Sequence, residues 1–132
     1  MPSKSGARGK DDGSGRRRAP RLAVAIEASL SGRAPRSVTV IDLSLVGCLV
    51  RGDAVFDVGA IFDLALTLEG SPLAVKVRVA ETSLDGDSLS ESRPRHLAGL
   101  QFLSLPAREA TRLRRFLDEE RRRRRSADGP SH

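Results

Sequence analysis

A chain of 132 residues with one cysteine, four aromatic side chains and a formal net charge of +6 has room for one modest core, and it excludes an internal disulfide or a multi-cysteine zinc site. The charge suggests a nucleic-acid binder until it is divided: residues 1–21 hold seven basic and two acidic side chains, residues 106–125 nine and four, and residues 22–105 seven against ten, a net of −3. Basicity belongs to the ends, and the acidic centre lacks an aromatic-interleaved basic face, which argues against specific nucleic-acid binding.

Residues 1–15 mix Ser, Gly, Lys and Asp without periodicity and cannot bury enough apolar area to offset the entropy of ordering, so a disordered tail is expected. Leu22, Val24, Ile26, Ala28 and Leu30 then alternate with smaller or polar residues, the period-two signature of a half-buried strand. Turn residues at 31–35 end it. A second strand is predicted over about 36–43 and a third over 47–51. Alternation returns in Phe62, Leu64, Leu66 and Leu68, and again in Leu73, Val75, Val77 and Val79, on either side of the turn Glu69-Gly70-Ser71-Pro72. Residues 83–95 carry hardly an apolar side chain and read as a solvated loop joining a hairpin, after which residues 97–102 form a sixth strand.

Ser104-Leu105-Pro106 supplies helix-start signals, and Ala110, Leu113, Phe116 and Leu117 fall at helical spacing. Six short antiparallel strands and one terminal helix predict a mainly β protein: a small six-stranded antiparallel β-barrel, closed so that no edge strand is left, with a C-terminal α-helix and disordered tails. The expected division is a tail over 1–15, a barrel domain with its helix over 16–120, and a basic, polar tail over 121–132, whose arginines at 121–125 read as a solvated helix end complementing the macrodipole. The longest uninterrupted apolar stretch, residues 22–26, is far too short to span a bilayer, and the N-terminus has no apolar signal core. A cytoplasmic chain without membrane insertion is expected.

The chemistry concentrates at Asp42-Leu43-Ser44-Leu45-Val46-Gly47, a turn between two apolar runs. Asp42 offers two acceptor oxygens, Ser44 a donor and an acceptor, and Gly47 either a positive φ or the absence of a side chain, a combination able to read a polar ring at close range. Upstream, Arg16-Arg17-Arg18-Ala19-Pro20-Arg21 contains R-x-x-x-R from Arg17 to Arg21 just before the first strand. The R-x-x-x-R pattern, a strand, D-x-S-x-x-G and the late Gly99-Leu100-Gln101-Phe102 together resemble the PilZ domain family, whose members bind the bacterial second messenger cyclic di-GMP. One departure is visible, because many members carry a second glycine where Val46 stands.

The resemblance implies the same barrel, and a non-enzymatic receptor or adaptor that changes shape or surface on binding cyclic di-GMP to regulate an unidentified effector protein. It assigns ligand contacts to Arg17, Arg21, Asp42, Ser44 and Gly47, with Arg18 as an auxiliary; Arg16 matches nothing fixed. Arginine suits such a ligand because its planar fork pairs with phosphate oxygens or with guanine O6 and N7. No cofactor or metal is expected: His96 has no partner at metal spacing, Ser44 has no G-x-S-x-G setting, and Cys48 sits in an apolar run that suits a buried, inert thiol. Two rivals stand beside this reading: a small basic barrel binding nucleic acid through its Arg-rich ends, and a PilZ-fold protein-interaction adaptor that does not bind nucleotide.

Overall fold

The computed structural model describes residues 20–32, 35–92 and 94–128. Six strands, β1 (Leu22–Ser31), β2 (Arg36–Leu43), β3 (Gly47–Gly52), β4 (Ile61–Leu68), β5 (Ser71–Leu84) and β6 (His96–Ser104), are followed by one helix, α1 (Ala107–Asp128). Every pairing is antiparallel, and the order β1-β2-β3-β6-β5-β4 closes with β4 against β1. Closure leaves no unpaired edge, as expected of a short-strand barrel.

The alternating residues point where period two requires. In β4, Phe62, Leu64, Leu66 and Leu68 are buried while their neighbours are exposed, and Leu73, Val75, Val77 and Val79 do the same in β5. A two-residue turn joins them, with Glu69 at φ 51° and Gly70 at φ 83°, the mirror-image turn whose twist matches a hairpin.

β5 runs further than its side chains suggest. Residues 81–84 pair with residues 96–99, so backbone bonding carries the strand into a stretch that reads as loop. The connection that follows is also more than a solvated loop. A 3-10 turn (Gly86–Ser88) buries Ser88, whose hydroxyl donates to Asp85 O (2.8 Å) and accepts from Arg95 N (2.7 Å). The buried polar groups are stabilised by these bonds rather than by apolar packing.

α1 covers one end of the barrel. Arg112 donates to Pro72 O (2.7 Å) and Ser71 O (3.1 Å) beside the β4–β5 turn, while Arg121 donates to Pro20 O (2.9 Å) at the start of β1. Between them Leu113 and Leu117 enter the common core with Leu22, Leu43 and Leu68, and each such burial is worth about 1.5–3 kcal/mol. The helix continues through the arginines at 121–125, set apart on composition as a tail, and ends at Asp128. Ion pairs Arg121–Asp118, Arg123–Glu120 and Arg124–Glu120 run along this stretch. The expected tail at 1–15 lies outside the described residues, as does the end of the chain beyond Asp128.

Candidate functional site

The 42–47 turn is shaped by a bulge. Between Val40 and Asp42 the β2–β3 register slips by one, leaving Ile41 as the extra residue, so the inward set changes from Val38 and Val40 to Leu43. Asp42 consequently lies on the outer face, next to the inward Leu43. Ser44 closes the turn: its hydroxyl donates to Gly47 O (3.2 Å) and accepts from Val46 N (3.1 Å), while Ser44 N donates to Gly47 O (2.9 Å). It is 3% exposed, and its one proton is committed to the turn.

Of the two roles open to Gly47, close approach is the one the structure uses. Its φ is not positive, and a Cβ there would stand 2.2 Å from Leu100 O. Only a hydrogen atom fits between β3 and β6 at this point, and Phe102 N completes the junction by donating to Val46 O (3.0 Å).

Beside the turn, Arg21 Nη1 donates to Asp42 Oδ2 at 3.4 Å, with side chains 45% and 20% exposed. A long bond on a half-exposed pair contributes at most about 1 kcal/mol, so the guanidinium is held loosely. The other oxygen, Asp42 Oδ1, is buried and has no hydrogen-bond partner among the described residues. A buried acceptor in that state costs free energy until a donor reaches it.

Arg21 and residues 44–47 of the turn form one wall of a groove of about 560 Å³, which Asp42 does not itself line and whose other wall is built from β5 and β6. Bulges shape that wall too: Ala80 and Leu103 are the extra residues where the β5–β6 register slips, and both line the groove. Asp42 pairs with Leu49, Leu49 with Gly99 and Gly99 with Glu81, so these four lie in one line across the outside of four strands. Asp42 and Glu81 are therefore three strand spacings apart along the barrel wall, roughly 14 Å between their backbones measured along the sheet. Cys48 also lines the groove. Burial, and secondarily the Asp42 carboxylate, push its thiol up to about 12, with Arg21 opposing, so the sulfur is a neutral thiol at physiological pH.

Four of the six residues singled out in the sequence, Arg21, Asp42, Ser44 and Gly47, meet at one end of the barrel; Arg17 and Arg18 lie outside the described residues. Sequence reasoning missed Glu81 as a groove residue, because alternation along β5 gives no sign of the Ala80 bulge that sets its register. Among the described residues no group of three His, Cys, Asp or Glu side chains could hold a metal ion, and no helix is long and apolar enough to cross a membrane.

The PilZ domain family model matches residues 15–119. Comparison with curated proteins finds no match. Among solved structures, the chain is similar to the PilZ domain with c-di-GMP of YcgR from Escherichia coli, at 18% identity and a TM-score of 0.68, covering 86% of this chain and 98% of that one. It is also similar to K. pneumonia MrkH in its c-di-GMP complex, at 17% identity and a TM-score of 0.71, covering 86% and 56%. The Bacillus subtilis inhibitor of motility MotI/DgrA gives 17% and 0.65, covering 81% and 52%; the chain thus spans about half the length of these last two. At such identities the structures show a shared fold, and the family model, covering most of the chain together with the D-x-S-x-x-G turn in place, shows more: the chain belongs to the PilZ domain family.

Proposed function

We propose that this chain is a cyclic di-GMP receptor module, which binds the nucleotide in the groove beside the 42–47 turn and presents the resulting surface to an effector protein. One observation carries the reading: an arginine on the wall of a nucleotide-sized groove is loosely paired with a carboxylate whose second oxygen is buried without a donor among the described residues. Arg21, with Arg17 and Arg18 from the preceding segment, would meet the phosphodiester oxygens or guanine O6 and N7. Asp42 would accept from the donors on guanine's Watson–Crick edge. Ser44 and Gly47 would contribute by holding the turn against β6, which gives the groove its depth.

Binding without chemistry fits the groups present. The Ser44 hydroxyl is engaged in the turn and the Cys48 thiol is held protonated, so neither is an activated nucleophile. Arg112, Arg121, Arg123 and Arg124 of α1 have acidic partners along their own helix, which weakens the case for a nucleic-acid surface there. Calorimetric titration with cyclic di-GMP, GTP and a short DNA duplex at physiological salt tests the reading. Saturable binding of the cyclic dinucleotide alone is expected; tighter binding of DNA would overturn it.

A further inference from the structure

We propose that Arg121 is a positioning residue for the nucleotide groove, coupling the last turns of α1 to Arg21; this rests on the binding reading above. Among the described residues, Arg121 is the member of the 121–125 run that reaches across the chain to the site: its Nη2 donates to Pro20 O at 2.9 Å, over a separation of 101 residues. Arg123 points instead toward Glu69 and Glu120, and Arg124 toward Glu120. Arg121 is itself oriented by Asp118, 3.6 Å from its Nη1, and is only 29% exposed.

The acceptor is the carbonyl immediately before Arg21, the residue whose guanidinium lies over Asp42. Pro20 has no amide proton and a fixed φ, so a bond to its carbonyl fixes the peptide plane from which Arg21 projects. The helix also adjoins the opposite side of the site. Pro20, Leu45 of the turn, Leu117, Asp118 and Arg121 enclose a small cavity of about 30 Å³. Both elements that carry the ligand groups, the start of β1 and the 42–47 turn, therefore abut the same two turns of α1.

Fixing the peptide before Arg21 reduces the ordering cost of ligand capture. By linkage, a ligand that prefers the tethered arrangement must in turn stabilise the helix contacts. The last turns of α1 thus become a surface whose order reports occupancy of a groove they do not line, and an effector could read it there.

The test is titration of cyclic di-GMP into wild type, R121A, Arg121→Met, R121K and R124A, with amide hydrogen exchange over residues 20–25 and 117–125. R121A should bind about tenfold more weakly, because the ligand must then order the segment around Arg21 itself. Arg121→Met, which keeps the aliphatic stem and removes only the donors, should lose as much, so the comparison stands even if R121A melts early. R121K should recover most of the affinity because an ammonium also donates to a carbonyl, and R124A should match wild type. Ligand should slow exchange over 117–125 in wild type and not in Arg121→Met, a response that a merely structural role would not produce. Wild-type affinity in R121A and Arg121→Met overturns the inference. If wild type itself binds no cyclic di-GMP, the functional reading falls, and ligand-free exchange over 20–25 still judges the tether: faster in Arg121→Met supports it, equal rates overturn it.

Discussion

The β1–β2 hairpin carries an arginine at each end, and the two are used in opposite ways. Arg36, near the hairpin turn, has its guanidinium 5.3 Å from the centre of the Phe56 ring and 5.5 Å from that of Phe62, and donates to Val55 O at 2.7 Å. Its charge is spent on closing that end of the barrel. Arg21, at the other end, makes one long bond to Asp42 and leaves a carboxylate oxygen without a donor among the described residues. The same side chain is structural where aromatic faces and a carbonyl surround it, and available where its one partner among the described residues is a half-satisfied carboxylate. Abundance of arginine says nothing about function in this chain; the surroundings decide it.

The comparison breaks most completely at Gly47, on which the Arg21 end depends. Gly47→Ala places a Cβ 2.2 Å from a backbone oxygen of β6, and backbone cannot swing aside as a side chain can. A loss of about 3 kcal/mol in denaturant unfolding is expected, together with loss of ligand binding.

The two arginines should then separate cleanly. Arg21→Ala should weaken cyclic di-GMP binding by about tenfold or more, since charge-assisted bonds are worth roughly 1.5–3 kcal/mol, and should alter stability by less than about 1 kcal/mol. Arg36→Ala should do the reverse, losing about 2 kcal/mol of stability with the stacking and the Val55 bond, and leaving affinity unchanged. Paired melts and titrations of both variants read this directly. Equal effects of the two on affinity would erase the distinction.

The smallest effect concerns Cys48, on the groove wall. Its thiol rises from 9.0 to about 12 in the folded chain, so the proton is held more tightly folded than unfolded. Its contribution to stability is therefore complete below pH 9.0 and is lost as pH climbs toward 12. Between pH 6 and 8 it should produce no change, whereas the decline of stability above pH 9 should be shallower in Cys48→Ala than in wild type.

What could be read in advance follows from which interactions are local. Alternation located β4 and the first half of β5 because burial imposes period two residue by residue, and the stripe of Leu113, Phe116 and Leu117 located α1 for the same reason. Asp42, Ser44 and Gly47 were legible as a turn because it spans six consecutive residues. The bulges at Ile41 and Ala80 were not, since each depends on the register of a partner strand far along the chain. Ser88 and Asp85 looked solvated because their burial is satisfied by hydrogen bonds and charge rather than apolar neighbours. Arg121 looked like one more helix-end cation, because its acceptor lies 101 residues away.

The most direct test is an amide-resolved NMR titration of the chain with cyclic di-GMP, which asks which end of the barrel the nucleotide meets. Saturable shift changes are expected at Arg21, across residues 42–48 and along residues 99–105, with the amides around Arg36, Phe56 and Phe62 unmoved. No shifts at saturating nucleotide, or shifts gathered at the Arg36 end, would contradict it.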